Sequence, residues 1–410
     1  MKLININYSD FSGGSAIACS RLHEAFLKNN IDSWLAVCFT NNKVKNSLSF
    51  VNKKNKIEYL IKKNSTRLFL KYFEKKTNID FSLSFFDNPL FKEIQLKNFD
   101  IINLHWIGNE TLSLKQIRKI DKPLVWTLTD MWPFLGAEHI SLSTYKNNDY
   151  WNNETILKKT NFDIKSMNLI RKIKNYSDQI QPVAISKWLA NRASESLIFK
   201  KKSIEVIPCT LNFDIWKPID NQKLKQNLFE KNKKIILFSS SAGTNDYKKG
   251  FKYLVNALKK FKNLEDFHLV ILGKLFKNDI KDLKITYTEI PTLLFNNIDQ
   301  LIKIYSSVDL LLMPSILEAF GQVAVEAASC NVPTVAFKNT GLEEILDHKI
   351  NGYLAEFKDE EDLFNGIHWC LEDKNLIELK KNCRQNAINK FSNKIVVNKY
   401  QDLYKKILEA

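Results

Sequence analysis

The chain has 410 residues, which is too long for one ordinary domain and enough for two. Hydrophobic residues make up 44 % of it and aromatic residues 12 %, so the composition excludes a wholly disordered protein. No run of about 18 uninterrupted apolar residues occurs, which argues against a membrane-spanning helix. The first apolar stretch is short and strand-like, so we expect no secretion signal.

The charge balance is strongly basic, with 61 Lys and Arg against 45 Asp and Glu and a net charge of +16. Such a balance favours an anionic partner such as nucleic acid, anionic lipid or a phosphorylated small molecule. The lysines are spread over the whole chain, however, so a lysine-rich proteome explains the charge about equally well. The six cysteines form no CxxC pair and the six histidines have no zinc-ligand spacing, which indicates a reduced, cytoplasmic protein without a metal site.

Strands and helices are predicted to alternate through the first half of the chain. A strand at 3–8 leads through a Gly13-Gly14 loop into an amphipathic helix at 15–28. Further strands, apolar enough to be buried in a parallel sheet, are predicted at 33–39, 100–105, 124–128, 180–185 and 204–207. Residues 209–218 have no clear period and end in Pro, so we place a linker there.

The second half repeats this alternation. Its predicted strands lie at 234–239, 267–272, 308–313 and 332–337. Its predicted helices lie at 250–261, 298–306 and 320–329, and several more close the chain after residue 360. This alternation predicts an α/β protein with two doubly wound parallel sheets. Ligands of such sheets bind at the carboxyl ends of strands, so we expect a ligand in the cleft between two facing domains.

The segment that follows the predicted strand ending at Met313 carries candidate chemistry. Glu318 and Gly321 lie in a loop, and Glu326 lies about two turns into an otherwise apolar helix. The backbone N–H groups at the start of that helix can hold an anion, and Gly321 allows a ligand to approach the backbone closely. A carboxylate at Glu326 needs a partner, which is either a ligand or a structural neighbour.

The Glu318 to Glu326 spacing, with Pro314-Ser315 and Phe320-Gly321 beside it, resembles the Glu-x7-Glu motif of retaining GT-B glycosyltransferases of family 4, the bacterial group 1 type. Other segments resemble family blocks in family order, at 9–23, 126–139, 246–250, 341–345 and 351–352. The resemblance covers nearly the whole chain. It implies a GT-B fold of two Rossmann-like domains, with an acceptor domain at 1–208, a donor domain at 209–390 and a final helix at 391–410 that crosses back to the first domain.

The resemblance also implies a donor-binding set, which comprises Gly14, Lys249, Glu318, Phe320, Gly321, Gln322 and Glu326. Lys249 would contact the diphosphate, Glu318 the donor sugar and Glu326 the ribose hydroxyls. The backbone amides of 320–322 would hold phosphate and sugar, and Gly14 would line the donor side from the first domain. These residue types suit the roles, because Lys is a point-charge phosphate binder and a carboxylate can accept two hydrogen bonds from a diol.

The sequence departs from the family pattern at position 129. Thr129 stands where many relatives place a His that touches the donor sugar, and Asp130 follows it as in the family. His105, at the end of a predicted strand, and His139 are the remaining candidate histidines, although a structural role for His105 is about equally plausible. The expected catalytic groups are therefore Glu318, His105 and Asp130.

These features predict a retaining glycosyltransferase that moves a hexosyl group from a UDP- or GDP-linked sugar to a glycan or lipid-linked glycan acceptor. The pathway implied is surface polysaccharide synthesis, of capsule, O-antigen or exopolysaccharide. No cofactor is expected, and the absence of Asp-x-Asp predicts a metal-independent reaction. The alternatives are a basic membrane- or nucleic-acid-binding protein without catalysis, for which no nucleic-acid motif is visible, and a phosphorylase or epimerase of the same fold.

Residues 53–76 predict peripheral binding to the inner face of the cytoplasmic membrane. The segment contains nine Lys or Arg and two Glu, together with the apolar residues Leu60, Ile61, Leu68, Phe69, Tyr72 and Phe73. A basic amphipathic helix can lie on anionic lipid, although an ordinary solvated helix has the same pattern. Five tryptophans of the first half are candidates either for acceptor stacking or for the core: Trp106, Trp126, Trp132, Trp151 and Trp188.

Overall fold

The computed structural model describes residues 1–40, 44–51, 55–73, 80–141, 163–219, 232–276, 279–291 and 297–409. The chain divides into two compact units. Unit 1 contains Met1–Pro208 together with Val397–Ala410, and unit 2 contains Cys209–Val396. The six cysteines are all buried and free of disulfides.

Unit 1 has a parallel sheet in which seven strands within the described residues follow the order β3-β2-β1-β4-β5-β6-β7. The strands are β1 (Lys2–Ser9), β2 (Asp32–Phe39), β3 (Ser47–Ser49), β4 (Ile101–Leu104), β5 (Leu124–Leu128), β6 (Ile180–Ala184) and β7 (Glu205–Val206). The helices are α1 (Gly14–Lys28), α2 (Lys56–Phe73), α3 (Leu90–Leu96), α4 (Leu114–Arg118), α5 (Ile164–Asn175) and α6 (Lys187–Ser194).

Unit 2 has a second parallel sheet, whose six described strands follow the order β10-β9-β8-β11-β12-β13. The strands are β8 (Lys234–Ser239), β9 (Phe267–Leu272), β10 (Thr286–Ile290), β11 (Leu310–Met313), β12 (Thr334–Phe337) and β13 (Gly352–Ala355). The helices are α7 (Phe251–Leu258), α8 (Ile298–Ser306), α9 (Gln322–Ser329), α10 (Glu360–Leu371), α11 (Asp373–Phe391) and α12 (Asn393–Glu409).

In each sheet the chain first forms a middle strand and adds strands toward one edge. It then adds the remaining strands on the other side of the first, which is the doubly wound order. The central strands are buried along their whole length, as in β4 and β5, because parallel sheets are covered on both faces. The prediction of two doubly wound parallel sheets is confirmed. The strands β3, β10 and β13 were not predicted from the sequence: β3 is too short to show a period, β10 is half polar, and β13 begins with a glycine.

The last helix completes the core of unit 1. From Val397 onward α12 belongs to that unit, where the hydroxyl of Tyr404 accepts a hydrogen bond from Asn103 Nδ2 at 3.2 Å. Thr127 Oγ1 lies 3.0 Å from the Tyr400 hydroxyl and donates to Asn103 Oδ1 at 3.0 Å. Burying these polar groups is tolerable only because they bond to each other. The helix is therefore held both by aromatic packing and by a polar network on the central strands.

We expect Tyr404→Ala to lower the free energy of unfolding of unit 1 by about 3–5 kcal/mol, because it removes a fully buried ring and one of the hydrogen bonds of Asn103. Denaturant unfolding followed by tryptophan fluorescence measures this change. Leu408→Ala, at an exposed position of the same helix, is the matched control and should change stability by less than about 0.5 kcal/mol. Equal stability of the two variants would contradict the packing role of α12.

Candidate active site

The strand order of unit 2 reverses between β8 and β11, and the loops that follow these two strands diverge from that point. In open α/β sheets, ligands bind outside the carboxyl ends of the strands at such a reversal. The loop after β8 contains the short helical turn Tyr247–Lys249, and the loop after β11 contains Glu318 and leads into α9. The candidate donor residues of unit 2 therefore lie at the expected edge of the sheet.

A missing side chain allows these two loops to touch. Gly250 has a φ of 69°, and a Cβ at this position would overlap the carbonyl oxygen of Pro314. Beside it, the amide of Ile316 donates to the carbonyl oxygen of Lys248 at 2.9 Å. Only glycine adopts this conformation readily and also fits against the neighbouring backbone. The Lys-Gly pair of the sequence thereby sets the position of Lys249.

Lys249 and Glu318 form an ion pair, in which Nζ and Oε2 are 2.7 Å apart. The two side chains are 26 % and 16 % exposed, so the pair lies at the rim of the protein surface. Burial lowers the pKa of Lys249, but the charge and hydrogen bond of Glu318 and the charge of Asp246 together raise it by more. The lysine therefore stays charged, and the residues assigned to diphosphate and sugar are bonded to each other.

The start of α9 is fixed by a second close contact. Gly321 has a φ of 103°, and a Cβ there would overlap the side chain of Leu342. The amide of Gly341 donates to the carbonyl oxygen of Glu318 at 2.7 Å. The ring of Phe320 is buried and packs edge-on against Phe391, so this residue can offer a ligand its backbone and not its ring. The backbone of 320–322 is thus placed at the positive end of the helix dipole.

Glu326 lies on the buried face of α9. Its Oε2 accepts a hydrogen bond of 3.1 Å from the hydroxyl of Tyr305 in α8, and both residues are buried. The carboxylate therefore has a protein partner, which the sequence analysis did not identify. Nothing in the sequence links the two residues, because they lie 21 positions apart on different helices. The ribose role of Glu326 comes from the resemblance and stays a prediction.

The carboxyl edge of the sheet in unit 1 carries the glycine loop and Thr129. Gly13 has a φ of 90° and precedes α1, whose first residue is Gly14. Thr129 Oγ1 donates to Ser15 Oγ at 3.0 Å, and Ser15 Oγ donates to Asn7 Oδ1 at 3.2 Å. The threonine that replaces the family histidine therefore ties the strand β5 to the glycine loop.

Asp130 and His139 form a second pair at this edge. Nδ1 of His139 lies 2.6 Å from Asp130 Oδ2, and Nε2 lies 2.9 Å from Ser82 Oγ. Trp106 stacks on the imidazole ring, with 4.9 Å between the ring centroids. The Asp130 carboxylate accepts a hydrogen bond from Nδ1. Asp130 on one side and Ser82 on the other therefore fix the orientation of the ring. Sequence reasoning missed Ser82, which lies 57 positions from His139.

The backbone between Asp130 and His139 is held in place by hydrogen bonds from Lys172. This side chain is completely buried and donates to the carbonyl oxygens of Trp132 and Leu135, the latter at 3.0 Å. Burial lowers the pKa of its ammonium group well below the usual value, and the Glu138 and Asp130 carboxylates act in the opposite direction. Lys172 is therefore a structural anchor for the loop that carries the pair.

His105, expected as a catalytic group, lies in the core of unit 1 instead. It is 2 % exposed, and Nε2 is 3.2 Å from Asn5 Oδ1. Burial lowers the pKa of its imidazole to about 3, because a charge there would lose its hydration. The structure thus places His105 away from Asp130, and its catalytic role stays a prediction. His139 is the histidine that the structure brings to Asp130.

Of the candidate acceptor tryptophans, Trp126 and Trp132 are core residues. Trp106 and Trp188 are partly exposed, and Trp151 lies outside the described residues. Among the residues that the structure describes, no helix is long and apolar enough to cross a membrane. The same part of the chain holds no cluster of three or more metal-binding side chains.

Comparisons with known proteins show which proteins this chain resembles. Residues 220–390 match the family model described as glycosyl transferases group 1. An uncharacterized glycosyltransferase of Methanocaldococcus jannaschii is 28 % identical over 60 % of this chain and 65 % of its own length, just under two thirds. An uncharacterized protein in a cps region of Klebsiella pneumoniae is 25 % identical over 79 % of this chain and 84 % of its own length.

The solved structure of Anabaena HepE in complex with UDP-glucose is similar over 99 % of this chain and 100 % of HepE, with a TM-score of 0.67 and 16 % identity. This likeness confirms the GT-B fold. The family match of unit 2 and the similarity to the Methanocaldococcus jannaschii glycosyltransferase support the prediction of a glycosyltransferase enzyme.

The low pKa of His105 predicts acid sensitivity. Below about pH 6.5 the unfolded chain takes up a proton that the folded chain refuses until about pH 3, so stability falls as the pH is lowered through this window. Between pH 7 and pH 5 the contribution of His105 should decrease by about 2 kcal/mol. Denaturant unfolding of wild type and His105→Gln at both pH values measures it. An equal pH dependence of the two proteins would show that His105 titrates normally in the fold.

Proposed function

We propose that this glycosyltransferase moves a hexosyl group from a nucleotide-diphosphate sugar to an acceptor hydroxyl and retains the anomeric configuration. The observation that carries the proposal is the Lys249–Glu318 pair, which lies beside the start of α9 at the carboxyl edge of the unit 2 sheet. One cation, one carboxylate and a row of backbone amides form a site suited to a diphosphate that carries a sugar.

The donor diphosphate competes with Glu318 for Lys249. When the phosphates take the ammonium group, the carboxylate is released and can accept hydrogen bonds from sugar hydroxyls. Negative charge grows on the diphosphate as the sugar leaves, and Lys249 together with the amides of 320–322 stabilises that charge. These groups perform the task that a divalent metal performs in other transferases, so the proposed reaction needs no metal and no cofactor.

Retention is proposed without an enzyme nucleophile. The developing positive charge on the sugar is shielded by the donor's own phosphate, which also lies where it can accept the proton of the incoming hydroxyl. Asp130 and His139 are assigned to the catalytic edge of unit 1, with Asp130 fixing the histidine, and the exposed Gly14 is assigned to the donor side of that edge. In this proposal His139 takes the catalytic role that was predicted for His105.

The proposed acceptor is a glycan, or a lipid-linked glycan, of a surface polysaccharide. The relative in a Klebsiella pneumoniae cps region favours this pathway, and the UDP-glucose complex of HepE makes UDP-sugars the first donors to test. A cytoplasmic location at the inner face of the membrane is part of the same proposal. Neither a nucleic-acid partner nor a non-catalytic role is favoured, and product analysis with and without acceptor separates a transferase from a phosphorylase or epimerase.

We expect Lys249→Ala and Glu326→Ala to reduce transfer by different routes. Lys249 faces charge that grows in the transition state, so its loss should reduce both UDP affinity and turnover, by about tenfold or more each. Glu326, if it holds the ribose, should reduce mainly donor affinity, since about 1.5–3 kcal/mol of charged hydrogen bonding is lost. Calorimetry with UDP and GDP, and turnover with the corresponding sugars, measure both effects.

The matched control is Lys260→Ala, which breaks a surface Lys–Glu pair of the same unit, with Glu361, beyond the opposite end of α7 from Lys249. It should leave binding and turnover unchanged. Wild-type turnover of Lys249→Ala would refute the diphosphate assignment. Normal nucleotide binding by Glu326→Gln, which keeps the bond to Tyr305, would leave Glu326 as a structural residue.

Glu318→Gln should have opposite effects on binding and on catalysis. Without the carboxylate, nothing competes for Lys249, so free UDP should bind about tenfold tighter. Turnover should fall, because the sugar loses its acceptor group. Calorimetric titration of UDP and single-turnover assays test the two halves separately. Weaker UDP binding by this variant would show that the ion pair is not displaced by phosphate.

A further inference from the structure

The helix α2 has an inner face that is firmly attached to unit 1. The hydroxyl of Tyr59 donates to the carbonyl oxygen of Asn109 at 2.6 Å, and Lys63 Nζ donates to the hydroxyl of Tyr8 at 2.7 Å. Leu70 is buried on the same face. These contacts fix the rotation of the helix about its axis, so its outer face is fixed as well.

The outer face carries an apolar stripe, which we define as Ile57, Ile61, Leu68 and Tyr72. These side chains are 72 %, 63 %, 67 % and 81 % exposed, respectively. Their spacings of four, seven and four residues place them within a sector of about 60°, opposite Tyr59 and Leu70, and along about 22 Å of the axis. An ordinary surface helix has polar residues on this face. The stripe is interrupted by the exposed Asn64 and Ser65 between Ile61 and Leu68, but four large apolar side chains this exposed on one face still mark a surface that another apolar phase covers.

The charges beside the stripe identify that phase. Lys56, Arg67 and Lys71 are exposed along one flank. The acidic residue of the helix, Glu58, is engaged by Lys62 at 2.6 Å. An apolar stripe with a basic flank complements an anionic lipid surface, in which the headgroups contact the cations and the acyl chains contact the stripe. A second copy of this chain is a poorer occupant, because a symmetric contact would bring the two basic flanks together.

We propose that α2 lies in the interface of an anionic bilayer, with the apolar stripe inserted among the acyl chains and the basic flank on the headgroups. This refines the sequence-based prediction for 53–76, in which Leu60 and Phe69 were counted as lipid-facing; residues 53–54 and 74–76 lie outside the described part of the chain. The structure assigns insertion to the stripe alone, so binding depends on apolar contact as well as on charge.

Docking on this face would also determine which other part of unit 1 lies near the membrane. Tyr8 and Asn109 hold the inner face of α2. Tyr8 lies near the end of β1 and Asn109 follows β4, so both lie at the carboxyl edge of the unit 1 sheet. Lipid binding would bring that edge close to the headgroups. This step rests on the proposed function, since it places the assigned acceptor side where a lipid-linked glycan is found. Binding itself requires neither donor nor acceptor.

The test is sedimentation of the full chain with vesicles of phosphatidylcholine alone or mixed with phosphatidylglycerol. The wild type should bind the anionic vesicles about tenfold or more tighter than the neutral ones. The variant Ile61→Asp/Leu68→Asp should lose about tenfold or more of that affinity, and Arg67→Glu/Lys71→Glu should lose the preference for anionic lipid. Ile377→Asp, which changes an isoleucine 58 % exposed on α11, is the matched control and should bind as the wild type does.

Equal partitioning of the wild type and Ile61→Asp/Leu68→Asp would overturn the proposal. So would a wild-type dimer that this variant dissociates without any lipid binding, since the stripe would then be a self-association surface. UDP calorimetry on the same variants separates this inference from the proposed function. Loss of vesicle binding with normal UDP affinity supports membrane docking, whereas normal vesicle binding in a protein that binds no UDP would refute only the donor assignment.

Discussion

The approach of two backbones at Gly250 is the contact on which the donor site of unit 2 depends. The turn after β8 can rest against the loop after β11 because residue 250 has no side chain, and the Ile316 amide to Lys248 carbonyl bond then locks the two together. A β-carbon at that position would push the loops apart and move Lys249 away from Glu318. Sheet topology brings the loops to the same edge. The contact at Gly250 then fixes the distance between the ammonium group of Lys249 and the carboxylate of Glu318.

In the absence of a ligand, the charges of Lys249 and Glu318 compensate each other. A lone ammonium group at a partly buried site loses hydration, and the nearby carboxylate compensates for that loss and keeps the pKa of Lys249 raised. In the proposed function, the carboxylate occupies the position that a donor phosphate would take. A site built in this way binds anions by exchange, which favours ligands that can replace one negative charge with two and also satisfy the displaced carboxylate.

Local pattern was sufficient to predict the two sheets, the alternation of elements and the Glu318 loop, because each depends on residues close together in the chain. The Lys249 turn was predicted only from the family resemblance. Side-chain contacts between residues that are far apart in the sequence could not be predicted in this way. His105 and His139 both follow apolar segments, and only the packing shows that one is buried beside Asn5 and the other meets Asp130 and Ser82. The same holds for Tyr305 with Glu326, where a polar residue in an apolar helix signals that a partner exists but not which one.

The polar network that joins α12 to the central strands of unit 1 also orders events during synthesis. Asn103 and Tyr404 are 301 positions apart, so Asn103 and Thr127 leave the ribosome long before the tyrosines that complete their hydrogen bonds. At about 5–20 residues per second, that interval is about 15–60 s. During this time all of unit 2 is made, while the nascent unit 1 sheet has buried polar groups without their final partners. The first unit to be translated is thus the last to reach its final core.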